Sequence, residues 1–205
     1  MSEKPFILGG QKLLPIIQAD DVETGVNIAK AMALSGTEIV EVVLRTDASL
    51  DIIKEITKQL PDVKVAAGTI LDEKNLIDAV DAGAKIIVTP AVSTKLLNVM
   101  ADCPIPVLPG VSNTSDILLA SEFGYTELKL FPASLSGGVN FLKAVSSVFK
   151  KMSFCPTGGI NEKNRNEFLA LSNVFSVGGT WVVQPDWVAA KDWQKITAAC
   201  KEALI

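Results

Sequence analysis

The stretch MALSGTEIVEVVL, residues 32–44, decides the fold. The end of a helical segment runs into Ser-Gly, and an apolar run rich in Ile and Val starts at once. The same order returns at 79–89 (AVDAGAKIIVT) and at 121–131 (SEFGYTELKLF). Glycine just past a helix end supplies the left-handed cap conformation. The apolar run after it reads as a strand covered on both faces, as in a parallel sheet.

Working outward, strands are expected at LLPIIQ, EIVEVVL, VKVAAGT, KIIVTPA, IPVLPGV, ELKLFP, MSFCPTGG and VFSVGGT. Helices fit between them. In DDVETGVNIAKAMALSG, Asp20 or Asp21 can cap, and Val22, Val26, Ala29 and Ala33 share a face. In SLDIIKEITKQLP, Ser49 can cap, Ile52, Ile56 and Leu60 face inward, and Pro61 stops the helix. Later helices are expected from near Asp72, Ser93, Thr114, Gly138 and Asn161, and DWQKITAACKEALI closes the chain. The strands recur at intervals of about 20–26 residues, which suits a βα repeat with short loops. Eight such units in 205 residues predict an α/β fold, a single (β/α)8 TIM barrel near the ~200-residue floor for that architecture. An open doubly wound sheet is the alternative, because periodicity does not show that a sheet closes. No linker or composition break interrupts the chain, so residues 1–205 are expected to form one domain.

Composition narrows the function. The net charge is −4 with no long run of either sign, a poor match to nucleic-acid binding. No apolar stretch approaches membrane-spanning length, and the N-terminal MSEKPFILGGQ is too short in apolar residues for a signal peptide. A cytoplasmic protein is expected. The three cysteines, Cys103, Cys155 and Cys200, lack metal-ligand or redox spacing and read as reduced thiols. There is no histidine, which removes His-based acid–base chemistry and His-ligated metals.

In a barrel of this kind the chemistry sits at the carboxyl ends of the strands. Two charged residues there stand among apolar neighbours: Glu41 in IVEVVL and Lys129 in ELKLF. Periodicity leaves each free to face the helix layer or solvent instead. Taken together, opposite charges inside one barrel can satisfy each other, and a carboxylate beside a desolvated amine is a common catalytic pairing. A buried amine can act as a nucleophile towards carbonyl carbon, with the carboxylate shuttling protons. Arg45 lies four residues after Glu41, on the same side of an ideal strand, and its fork suits a substrate carboxylate. Thr69 after Gly68 could add a hydroxyl, though Gly-Thr is also ordinary turn chemistry. Paired glycines in PTGGI (Gly158, Gly159) and VGGTW (Gly178, Gly179, before Thr180) let backbone N–H groups approach an anion. Barrels often bind phosphate at those two final loops.

The motifs EVVLRT, AAGTIL, VTPAVS, PVLPGVSNTSD, LKLFPAS and PTGGI, followed by GGTW, occur in this order across nearly the whole chain. The sequence resembles the 2-keto-3-deoxy-6-phosphogluconate (KDPG) and 4-hydroxy-2-oxoglutarate (KHG) aldolase family. The resemblance implies a trimeric class I aldolase barrel with no metal and no cofactor. It also implies Lys129 as the Schiff-base lysine and Glu41 as the acid–base. Arg45 and Thr69 would hold the pyruvate carboxylate, Pro90 and Phe131 would line the pocket, and Gly158, Gly159, Gly179 and Thr180 would take the phosphate. The partners implied are small molecules, a 2-keto acid and a phosphorylated aldehyde. Thr180 stands where the family usually has Ser, Ala91 where it has Gly, and Ser134 where it has Glu. These departures touch the pocket rim rather than the chemistry. Two other functions use the same glycine loops: a phosphate-barrel isomerase or epimerase, and a non-catalytic barrel that senses a phosphorylated metabolite. The first would use no covalent lysine, and the absence of histidine counts against many designs of that kind; the second gives no reason for a buried Glu41–Lys129 pair.

Overall fold

The computed structural model describes residues 7–205. The reading of the N-terminal run rests partly on residues 1–6, which lie outside those described. The chain alternates strands and helices throughout. The strands are β1 (Leu13–Ile17), β2 (Ile39–Val43), β3 (Lys64–Gly68), β4 (Ile86–Val88), β5 (Val107–Leu108), β6 (Gly110–Val111), β7 (Glu127–Leu130), β8 (Ser153–Pro156) and β9 (Val177–Gly179). The helices are α1 (Val22–Ala33), α2 (Ser49–Gln59), α3 (Glu73–Asp81), α4 (Thr94–Ala101), α5 (Thr114–Glu122), α6 (Gly138–Ser146), α7 (Arg165–Leu169), α8 (Pro185–Ala189) and α9 (Trp193–Ala203).

Every strand pairing is parallel. A curled six-stranded sheet has the order β5-β4-β3-β2-β1-β9, and a three-stranded sheet has the order β6-β7-β8. The eight strands expected from sequence therefore become nine in the described residues, and not one continuous sheet. Pro109 is the first cause. It has no N–H to give a ladder, so the run IPVLPGV splits into β5 and β6 on either side of it. The second is the contact of β8 with the chain around β9. It is limited to the isolated bridges Phe154↔Val174 and Thr157↔Gly178.

The caps show why the helices begin and end where they do. Gly36, Gly83 and Gly124 take φ of +91°, +100° and +85° just past α1, α3 and α5, as the opening pattern requires. Asp21, not Asp20, caps α1, accepting from Thr24 N–H at 2.8 Å. Ser49 is not a cap. It is the first residue of α2, and its hydroxyl turns back to donate to the carbonyl of Val43 at 2.9 Å. The helix expected from Asn161 starts later, at Arg165, because the Asn161 side chain accepts from Lys163 and Asn164 N–H and closes a turn first. The short helix α8 was not anticipated, although Pro185 at its first position is a start signal.

The core has an outer and an inner part. Helices α1 to α4 and α9 pack on the outward side chains of the large sheet, and α5 to α7 on those of the small one. The inner cluster joins Leu14, Ile39, Ala66, Ile86, Val88, Leu108, Cys155 and Phe175, with Leu8 from the segment before β1 packed into it. Ile7 N–H donates to Glu127 Oε1 at 2.8 Å, and the Gln11 amide binds main-chain groups of Leu13, Glu38 and Ile39. This segment covers the amino ends of the strands.

Candidate active site

Side chains alternate along a strand, so the residue two positions after an inward-facing one also faces inward. Ile39 belongs to the inner cluster, and Glu41 follows it on β2. Lys129 follows Glu127 on β7 in the same way. Glu41 thus rises above the apolar inner cluster and Lys129 above Glu127. Glu41 is 0% exposed and Lys129 4%. Lys129 Nζ donates to Glu41 Oε1 at 2.9 Å. The other carboxylate oxygen, Oε2, is buried with no hydrogen-bond partner among the described residues. A buried acceptor left unsatisfied costs about 1–3 kcal/mol, more for a charged group.

Gly68 makes room for this carboxylate. A Cβ built on it would overlap Glu41 Oε1, so its place in β3 is a matter of close approach rather than of turn conformation. The unusual backbone belongs to the next residue, Thr69, with φ of +65°. Its Oγ1 accepts from Arg45 Nε at 3.2 Å. Arg45 does not continue the β2 alternation. The strand ends at Val43, and Arg45 N–H turns back to the Val43 carbonyl at 2.9 Å. The bond to Thr69 orients the guanidinium at the exposed rim.

Phe131 and Pro90 frame the pair. The Phe131 ring centroid lies 5.4 Å from Lys129 Nζ. Pro90 follows β4, and its backbone abuts Gly110, the residue in register with Lys129. Opposite Lys129 on the other side, β8 presents Cys155. Burial pushes the Cys155 thiol up to about 12, the nearby Lys129 opposing and Glu41 reinforcing the shift. It is an inert neighbour of the lysine.

The glycine loops lie beside the pair. Gly158 and Gly159 have φ of +94° and +78°. A Cβ on Gly158 would press on Pro132 and Phe131, and one on Gly159 would overlap Ser134. Ala133 N–H and Ser134 N–H donate to the carbonyls of Thr157 and Gly158 at 2.7 and 3.1 Å. The bridge Thr157↔Gly178 brings the second loop alongside the first. Two packing reasons for the second glycine pair could not be read from sequence: Gly178 makes room for the Thr157 side chain and Gly179 for the Trp181 ring. Thr180 is exposed.

A cavity of about 440 Å³ opens behind these loops, lined among others by Arg165, Trp181, Gln184 and Trp187. Neither Lys129 nor Glu41 lines it, so volume alone is a poor guide to the chemistry here. Among the described residues no cluster of His, Cys, Asp or Glu could hold a metal ion, and no helix is long and apolar enough to cross a membrane.

A buried Lys–Glu pair among parallel strands is an arrangement that can support amine chemistry on a carbonyl. The comparisons narrow the class. The family model for KDPG and KHG aldolases matches residues 6–199. A 2-dehydro-3-deoxy-phosphogluconate aldolase of Pseudoalteromonas atlantica is 40% identical over 192 residues, covering 94% of this chain and 89% of that protein. The KDPG aldolase of Legionella pneumophila, solved with pyruvate captured at low pH as a covalent carbinolamine intermediate, superposes with a TM-score of 0.95 at 33% identity over the whole of both chains. The Zymomonas mobilis enzyme, solved with 3-phosphoglycerate, gives a TM-score of 0.88 at 37% identity, covering 97% of this chain and 93% of that one. The chain belongs to the KDPG and KHG aldolase family.

Proposed function

We propose that the protein is a class I aldolase that cleaves KDPG to pyruvate and glyceraldehyde 3-phosphate through a Schiff base on Lys129, and that it also cleaves KHG to pyruvate and glyoxylate. The observation that carries this reading is the buried 2.9 Å contact between Lys129 Nζ and Glu41 Oε1. Transfer of one proton along it leaves a free amine beside a carboxylic acid. The amine attacks the C2 ketone to give a carbinolamine, and Glu41 protonates the departing hydroxyl, which leaves as water. The protonated imine is an electron sink. Glu41, again a carboxylate, removes the C4 hydroxyl proton. The C3–C4 bond breaks, its electron pair forms the enamine, and the aldehyde is released. Glu41 returns a proton to C3, and water hydrolyses the pyruvate imine.

Arg45 and Thr69, already bonded to each other, bind the pyruvate carboxylate, while Pro90 and Phe131 line its pocket. Gly158, Gly159, Gly179 and Thr180 take the phosphate, a reading supported by the left-handed Gly158–Gly159 loop and its contact with the second loop. In this reading the two sheets make one (β/α)8 barrel domain, which the chain's continuity through Pro109 and the bridges to β9 support. We also propose that the protein is cytoplasmic and a homotrimer; light scattering measures the latter.

The test is pyruvate with borohydride followed by peptide mass analysis. Reduction should leave one covalent adduct, on Lys129. An adduct on another lysine refutes the assignment to Lys129, and the absence of any adduct favours an isomerase or a binding role.

A further inference from the structure

Thr89 follows the last residue of β4 and is fully buried. Its N–H donates to the Leu108 carbonyl at 3.2 Å, the regular rung between β4 and β5. In a parallel ladder the next rung would run from Gly110 N–H to the Thr89 carbonyl. It does not. Gly110 N–H donates instead to Thr89 Oγ1 at 3.0 Å, and that hydroxyl donates onward to the Ala91 carbonyl at 2.8 Å. A side chain replaces a main-chain rung where Pro90, which has no N–H, takes the chain out of the sheet. The approach is tight: a Cβ on Gly110 would overlap the backbone of both Thr89 and Pro90.

The strand held in this way seats the lysine. Gly110 is in register with Lys129, and Lys129 N–H donates to the Pro109 carbonyl at 2.9 Å. One hydroxyl therefore ties the turn that carries Pro90 to the strand that carries Lys129's backbone partner. We propose that Thr89 is a positioning residue for imine formation: its hydroxyl fixes Pro90 and β6 relative to Lys129, and so sets the approach of the ketone to Nζ. The inference rests on the reading of Lys129 as the Schiff-base residue.

Thr89→Val keeps the shape and removes the hydroxyl, leaving Gly110 N–H without that acceptor. The measurement is the rate of borohydride trapping by saturating pyruvate, on protein shown to be folded by circular dichroism. Misplacing a reacting group by a fraction of an ångström should slow trapping by about tenfold or more. Thr89→Ser, which keeps the hydroxyl, should stay within about threefold of wild type. A purely structural role predicts otherwise: Thr89→Val would melt earlier yet trap at the wild-type rate, and that result overturns the proposal. Equal impairment of Thr89→Ser also overturns it. Should Thr89→Val not fold, Thr89→Cys, similar in size and a weak hydrogen-bonding group, takes its place with the same two outcomes. Wild-type protein that is not trapped defeats the aldolase reading and this inference together. Trapped wild type with an unimpaired variant defeats only the latter.

Discussion

Glu41 can carry a charge above an apolar floor because Lys129 Nζ stands 2.9 Å away and because Gly68 has no side chain to exclude the carboxylate. Gly68→Ala should therefore fold, push Glu41 away from Lys129, and slow both cleavage and pyruvate trapping by about ten- to a hundredfold, as expected for a misplaced acid–base. Exchange of pyruvate methyl protons into heavy water reads the same loss directly; wild-type exchange would show that the contact is immaterial. The pair itself is not a source of net stability. Removing one partner of a buried ion pair costs about 3–5 kcal/mol, whereas replacing both with apolar residues is often close to neutral. Lys129→Met should show the first in urea unfolding, and Lys129→Met with Glu41→Leu should recover most of the loss. The two charges were legible in the sequence because each interrupts an apolar run. Gly68 and Thr89 were not, because what explains them lies elsewhere in the chain: Glu41 on the neighbouring strand, and Gly110, 21 residues on.

Strands and helices were largely legible because cap glycines and apolar runs are local signals. Their failures are local too. Ser49 has a cap's chemistry but spends its hydroxyl on the Val43 carbonyl, and Pro109 divides a run whose composition reads as one strand. The glycine loops show the limit most clearly. A Gly-Gly pair that suits an anion does not show in sequence that one of its members must also make room for a tryptophan ring, as Gly179 does. Gly159 is a poor probe of phosphate binding, since any side chain there meets Ser134 and a left-handed backbone. Thr180 is a better one, being exposed. Thr180→Ala should leave stability unchanged and lower kcat/KM for KDPG about ten- to a hundredfold, the worth of one hydrogen bond to a charged group. Cleavage of KHG, which lacks the phosphate, should hold near wild type. Equal losses on both substrates would remove Thr180 from the phosphate site.

The last helix packs against the first. The Thr197 hydroxyl of α9 donates to the Ala31 carbonyl of α1 at 2.8 Å. Arg165 of α7 reaches the last turn of α9, donating to the carbonyls of Glu202 and Ala203 at 2.9 and 3.0 Å. Loss of these charge-assisted bonds in Arg165→Met should lower unfolding stability by about 2–4 kcal/mol. A change under about half a kcal/mol would mean that these two bonds do not hold α9, leaving its apolar face and the Thr197 bond. None of this was legible, because periodicity marks which face of an element is apolar and not which other element covers it. The seal at the amino ends of the strands, made by Leu8, Gln11 and the Ile7–Glu127 bond, was equally hidden. It has a kinetic consequence. In the proposed barrel an interior stopped at one end has one doorway, and in the proposed site the fragment bound to Lys129 lies behind the fragment that carries the phosphate. Departure is then sequential: the aldehyde must clear the doorway before the keto acid can follow. Product inhibition reads this order. Pyruvate should compete with the substrate for the empty enzyme, while glyceraldehyde 3-phosphate, which recombines with the loaded enzyme, should inhibit noncompetitively.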